Sequence, residues 1–439
     1  MCFTKTLLVA AVAGLGLVGC NPSDFNSILD KAPVQDLGTP GSSTGSLFVL
    51  PLPAPDPATK VAARMLVSRK DSNYLALADY DMNGKVTLHE ASQVEHDLGS
   101  PVYSSAMRAD GTIILGMPSY GVPPSPGGKV STLAVSNTAD GSPTFTILTS
   151  PTGFFWHMGI SVAAGFITGA PTGDFVAVGD NSVQLVGADP SNLQIATSSD
   201  SCLALQLGST TGDFYAFRPV VVADLLAGGG DEIVLSGHQG QVLFVQYDGS
   251  TVLPCPTKVL TSAVASFGTS LAVGDFDGDT HMDLAVGAPP NHVYVYFGPL
   301  DAAVSAAANP DVDIVGPTGA TQFGKQIATY SLPGMAAQLM VADPTAQSPG
   351  GVGKVMLFTV SRGAVSIPSS AAVATLFDSN KDSDPGLLGL NLGGVEFNMG
   401  LCKPTSGKQL VPWASLGPDL LTFFAYSGGP ADPRCFAQP

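Results

Sequence analysis

Seven times along the chain the same pattern returns: a short apolar strand, a turn holding Gly, Ala or Pro, and a Gly- or Asn-led second strand with a central aliphatic residue. The clearest copy is "DLAVGAPPNHVYVYFG" from Asp283, and "YLALADYDMNGKVTLHEA", "DFVAVGDNSVQLVG" and "DEIVLSGHQGQVLFVQY" are others. Further copies are "TIILGMPSYGVPPSPGGKVSTLAV", "AQLMVADPTAQSPGGVGKVMLFTV" and the degraded "QLVPWASLGPDLLTFFAY". Their central residues, Val86, Val130, Val183, Val242, Val293, Val355 and Leu420, are 44, 53, 59, 51, 62 and 65 residues apart. That spacing predicts an all-β fold, a seven-bladed β-propeller of four-stranded antiparallel blades with loops of unequal length. Residues 46–439 keep one Val/Leu/Ala/Gly-rich composition and exceed the size of an ordinary single core. A ring of small repeated units escapes that limit.

The chain begins with Lys5, an apolar run from Leu7 to Val18, and Cys20. This is an export signal over residues 1–19, too short to span a bilayer. Leu17-Val18-Gly19-Cys20 resembles the bacterial lipobox, which implies cleavage before Cys20 and lipidation of that cysteine. Asn21, in place of an inner-membrane-retaining Asp, points to the outer membrane of the cell envelope. Residues 20–45, rich in Pro, Gly, Ser and Asp, read as a flexible tether.

With 18 Lys+Arg against 35 Asp+Glu, the net charge of −17 disfavours nucleic acid and anionic lipid as partners and makes divalent cations the natural counter-ions. Past Cys20 the cysteines are Cys202, Cys255, Cys402 and Cys435, an even number with no C-x-x-C spacing. In an exported chain they predict two disulfides. Cys202 and Cys255 bracket the fourth repeat and Cys402 and Cys435 the last hairpin, so of three connectivities 202–255 and 402–435 is expected.

Residues 79–90, "DYDMNGKVTLHE", fit the twelve-residue calcium loop of an EF-hand, with Asp79, Asp81 and Asn83 as ligands, Gly84 at the turn and Glu90 closing. That reading needs helices on both sides. Upstream, "VSRKDSNYLALA" alternates like a strand, although "EASQVEHDL" downstream has Val94 and Leu98 on one helical face. The repeat instead makes Asn83-Gly84 a hairpin turn.

A second acidic stretch is stronger. "FGTSLAVGDFDGDTHMDLAVGAP" runs from Phe267 to Pro289 and closely resembles the FG-GAP repeat of integrin α-subunit propellers and their bacterial relatives. The shared parts are Phe267-Gly268, the alternating Asp275, Asp277, Asp279 and Asp283, and Gly287-Ala288-Pro289. The resemblance implies a loop between the first two strands of a blade that binds Ca²⁺ through these four carboxylates and a backbone carbonyl, here that of His281. Alternating aspartates in a tight turn suit a hard cation that needs several oxygens. Thr280 stands where the family usually has Gly, which predicts a strained turn. Phe323-Gly324 marks another blade, and Met158-Gly159 is a degenerate version. The loop after Met158-Gly159 lacks the aspartate ladder, and the one at Asp224, with Asp231 or Glu232, is at best a vestige, so one ion is expected.

The six histidines are scattered without metal-ligand spacing, and Gly228-Gly229-Gly230 lacks the Lys-Ser/Thr of a phosphate loop. Trp413, Phe423 and Phe424 read as inter-blade core. The leading expectation is a non-enzymatic, lipid-anchored envelope propeller for recognition of, or adhesion to, an envelope or extracellular protein or glycan. One alternative is a hydrolase or lyase at the central channel drawing on His89, His96 and Asp110, and another is a structural subunit of an envelope complex. Ser46–Leu52 is expected to close the ring by adding a strand to the last blade, built from Leu390–Tyr426.

Overall fold

A computed structural model describes residues 34–36 and most of 47–423; outside the description lie residues 1–33, 37–46, 197–218, 399–407, 424–439 and a number of shorter connections. The described strands form antiparallel, four-stranded sheets in a propeller arrangement. Six sheets follow one another through residues 47–90, 104–156, 161–196, 220–261, 270–315 and 326–376, and a seventh joins residues 388–423 to the strand Val34–Asp36. The first strands of successive sheets are mutual neighbours and so surround the central axis. Among the described residues, no helix is long and apolar enough to cross a membrane.

Five apolar clusters join the first six sheets in chain order. Between the fifth and sixth, Phe276, Val293, Val295 and Ile314 meet Phe323, Leu339, Val341 and Phe358, all fully buried. The second strands explain why every face is covered. Ile113–Met117, Asp174–Val178, Glu232–Ser236 and Asp283–Ala288 are buried along their whole length, because each lies between two neighbouring sheets.

The Phe-Gly and Gly-Ala-Pro signatures have a steric cause that repeats around the ring. Gly324 adopts φ +81°, its N–H bonds to the Ala342 carbonyl, and its own carbonyl accepts the Ser270 hydroxyl of the preceding sheet at 2.8 Å. Gly287 lies under that contact, where a Cβ would overlap both the Gly324 carbonyl and the Ser270 hydroxyl. Three sheets earlier in the ring the same arrangement holds: Ser104 donates to Gly159 at 2.8 Å, and Gly116 leaves the room. Phe323, Phe267 and Met158, each just before its glycine, are buried. Met158-Gly159 thus makes the same inter-sheet contact without the phenylalanine.

Two expectations need correction. Leu47–Leu52 does not join the last sheet; it pairs with Val61–Arg69 as the inner strand of the first. The last sheet instead takes Val34–Asp36, from within the segment read as a tether, against Leu420–Phe423. "SLFVLPL" has its own partner, and a three-residue strand in a Pro/Gly-rich segment gives no periodicity to find. The first repeat also lies one strand out from the others. Leu75–Asp81 and Val86–Glu90 are the third and fourth strands of their sheet, whereas Val130, Val183, Val242, Val293, Val355 and Leu420 lie on third strands. Every hairpin of a blade has the same strand–turn–strand form, so the sequence pattern does not separate the inner pair from the outer one.

The fifth sheet carries an addition. After Gly351–Phe358 of the sixth sheet the chain crosses back, lays Ser366–Pro368 parallel to Val312–Val315 as a fifth strand, and returns as Ala374–Leu376. Ala364, Ile367 and Ala372 of this strap pack on the cluster between the two sheets.

Candidate functional site

The acidic stretch forms the turn between Ser270–Gly274 and Asp283–Ala288, whose last paired residues are Gly274 and Asp283. Aspartates spaced by two accept N–H groups a few residues ahead, which is the local bond that shapes such turns. Asp275 accepts from Gly278 (2.7 Å) and Thr280 (3.0 Å), Asp277 from Asp279 (3.1 Å), and Asp279 from His281 (2.9 Å). Asp283, fully buried, accepts from Phe276 (2.8 Å) and Gly298 (2.9 Å). Gly278 and Thr280 supply the left-handed backbone, at φ +82° and +75°. A β-branched residue in that region is strained, as expected from the missing glycine.

Carboxylate oxygens of Asp275, Asp277 and Asp283 come within 4.8 Å of one another. Asp279 is not one of the three. Its Oδ2 accepts from Arg362 Nη2 at 2.6 Å, and Arg362 Nε donates to Asp277 Oδ2. The same Nη2 donates to the Gly298 carbonyl at 3.0 Å, and the guanidinium lies 5.1 Å from the centre of the Phe297 ring. Each carboxylate oxygen of the four aspartates thus accepts at least one N–H. Burial, opposed by the N–H groups of Gly298 and Phe276, pushes the Asp283 carboxyl up to about 6. The N–H of His281 is the main cause that holds Asp279 below the usual range. His281 itself is exposed, its Nδ1 3.2 Å from Asp279 Oδ1.

Asp283 has two counterparts, Asp174, which the sequence did not single out, and Glu232, which it offered as part of a vestigial loop. Asp174 closes the equivalent hairpin of the third sheet, opposite Gly165, and accepts from the Thr168 N–H at 2.7 Å. Glu232 closes that of the fourth, opposite Ala223, and accepts from Leu225 (2.9 Å) and Leu226 (3.1 Å). The signal was present in "DFVAVG", "DEIVL" and "DLAVG", where an acidic residue stands at or next to the start of each second strand. These two carboxylates hold their turns without the alternating aspartates of the fifth sheet. Arg362 left no signal, being 85 and 83 residues from its two partners.

This geometry accords with residues 267–296 matching the family described as "FG-GAP repeat". The fifth sheet carries an FG-GAP repeat. In this repeat Phe267-Gly268 and Gly287-Ala288-Pro289 are inter-sheet packing elements and the aspartates are the turn. No curated protein matches the chain. Among solved structures, the chain is similar to BBS1N in complex with ARL6DN, at 9% identity and TM-score 0.49, covering 90% of this chain and 95% of that one. It is also similar to Sqt1 of Saccharomyces cerevisiae, at 12% identity and TM-score 0.45, covering 82% and 80%.

The other candidates are not gathered with the FG-GAP turn. Asp79 and Glu90 lie on paired strands, opposite Thr87 and Ala76, and Glu90 is exposed. Asp79 is buried and held by Arg64 through two bonds, Nε to Oδ1 at 2.6 Å and Nη2 to Oδ2 at 2.7 Å. Residues 75–81 and 86–90 are thus the paired strands of a hairpin, as the repeat predicts, while Asn83 and Gly84 lie outside the described residues; the helix Ser92–Leu98 does follow, with Val94 and Leu98 buried. His89 sits on the outermost strand of the first sheet, 3.3 Å from Asp79, His96 on that helix, and Asp110 in a turn of the second sheet beside Arg108. The three thus lie on three different elements, a strand, a helix and a turn. Cys255 is disulfide-bonded. Cys20, Cys202, Cys402, Cys435 and Phe424 lie outside the described residues; Trp413 and Phe423 are register partners in the last sheet.

Proposed function

We propose that this chain is a non-enzymatic, lipid-anchored envelope protein in which seven blades close into a ring whose loops recognise a protein or glycan. In this reading one Ca²⁺ stiffens the FG-GAP turn. Asp275, Asp277 and Asp283, with Asp279 and the His281 carbonyl, would hold the ion, which supplies positive charge to a turn of four carboxylates. The supporting observation is the all-oxygen donor set, with three carboxylates inside 4.8 Å, which fits a hard cation of this size. Recognition in place of catalysis is supported by the dispersal of His89, His96 and Asp110.

Anchoring rests on the lipobox at Cys20, and the Cys202–Cys255 and Cys402–Cys435 pairings on their places around the repeats. Replacing Cys20 with Ser should move the protein from the membrane fraction to the soluble one, and non-reducing peptide mapping reads the pairings. Ca²⁺ should raise the melting temperature, since a ligand at a hundredfold excess over its Kd stabilises by about 2.7 kcal/mol. Asp275→Ala should remove that response. Recognition is tested by capture from envelope fractions with and without chelator. Recovery of one protein or glycan that an Asp275→Ala bait fails to recover supports the reading; identical recovery by both baits contradicts it.

A further inference from the structure

Arg362 belongs to the strap of the sixth sheet, yet its guanidinium is bonded to two aspartates of the fifth-sheet turn and to the Gly298 carbonyl. The side chain of Asp277 is 2% exposed and that of Arg362 is 53% exposed, so the arginine covers the aspartate from the solvent side. The remaining donors in the turn are backbone N–H groups and the exposed His281 ring. Arg362 is thus the one guanidinium or ammonium group bonded to this turn among the described residues. It also stands at the head of the strap. Three residues on, the Val365 carbonyl accepts from Asp313, and Ser366–Pro368 pairs with the edge of the fifth sheet.

We infer that Arg362 is the turn's built-in counter-ion, and that a divalent cation binds there in opposition to it, weakening the grip of the strap's first residues on the fifth sheet. The inference rests on the calcium reading above. Asp277 is shared: one of its oxygens contacts the guanidinium, and the same carboxylate belongs to the trio within 4.8 Å. A cation entering that trio places two positive groups on one carboxylate, where they repel in a poorly solvated position. The coupling is reciprocal. Whatever factor Arg362 takes from cation affinity, the cation takes from the Arg362 contacts. The apolar anchors Ala364, Ile367 and Ala372 do not depend on charge, so the effect is confined to the start of the strap.

Calorimetric titration of the full chain with CaCl₂ tests this, comparing wild type with Arg362→Gln and Arg362→Lys. Arg362→Gln should bind Ca²⁺ about fivefold more tightly or better, the lower end of common coupling factors. Arg362→Lys, which keeps the charge without the two-pronged geometry, should lie between them. Hydrogen exchange on the wild type gives a readout that needs no variant: amides of residues 361–367 should exchange faster when Ca²⁺ is added. Equal or weaker binding by Arg362→Gln, or slower exchange of the strap with Ca²⁺, overturns the inference while leaving the calcium reading in place. Absence of binding by all three proteins ends both.

Discussion

Ser270 in the fifth sheet donates its hydroxyl to the carbonyl of Gly324 in the sixth, 2.8 Å away, in a space left open by Gly287. Replacing Gly287 with Ala puts a methyl group against a fixed carbonyl, and overpacking of this kind costs about 1–3 kcal/mol. Gly319→Ala is the comparison, because a Cβ there meets nothing within 4 Å and only its φ of +82° resists, at roughly 1–2 kcal/mol. Ser270→Ala should cost about 1 kcal/mol through loss of the bond alone. Urea unfolding of the three variants checks the order; Gly287→Ala matching wild type would mean the sheets separate at no cost.

Thr280 holds φ +75° in the acidic turn. Glycine adopts that conformation freely, so Thr280→Gly should stabilise the ion-free protein by about 1 kcal/mol, the left-handed penalty less the chain entropy glycine adds to the unfolded state. Thr280→Ala should not, since it keeps a Cβ. Thermal melts in chelator distinguish them.

Asp79 and Arg64 form a buried two-bond ion pair joining adjacent strands. Removing one partner strands the other charge, so Asp79→Ala should cost about 3–5 kcal/mol. The loss should be equal with Ca²⁺ and with chelator. A Ca²⁺-dependent loss would restore the calcium-loop reading of 79–90.

Glu232 is buried, and desolvation raises its carboxyl above the ordinary value of 4.5 despite the N–H groups of Leu225 and Leu226 and the Gln246 amide. A raised folded value means the folded chain holds a proton that the unfolded chain releases. The associated stabilisation is complete below the unfolded pKa and is lost as pH rises through the folded one. Both backbone bonds go to one oxygen, so Gln can keep them. Glu232→Gln should therefore be more stable than wild type at pH 7, with the gap closing toward pH 4.5. A constant gap across that range would contradict this assignment.

The features legible in the sequence were those carried by near neighbours. Alternating Asp275, Asp277 and Asp279 build their turn with N–H groups two to five residues ahead, and Thr280 was recognisable as a residue in a glycine's place. Hairpins were legible too, but their position within a blade was not, which put Val86 on the wrong strand. Contacts that depend on ring geometry were hidden. Arg362 reaches Asp277 only because a strap crosses between sheets, and Ser270 reaches Gly324 only because two sheets abut.

The strand Val34–Asp36 has a consequence in time. Its partner, Leu420–Phe423, is made about 380 residues later, which at ordinary rates of synthesis is about 20–80 s. Through that interval its backbone edge has no mate in its own chain, and an identical edge on a neighbouring nascent chain offers the same bonds. The order of manufacture thus makes the final seam the step at which two chains can exchange ends. A chaperone that shields residues 34–36 until the last hairpin emerges would raise the yield of single, correctly joined rings.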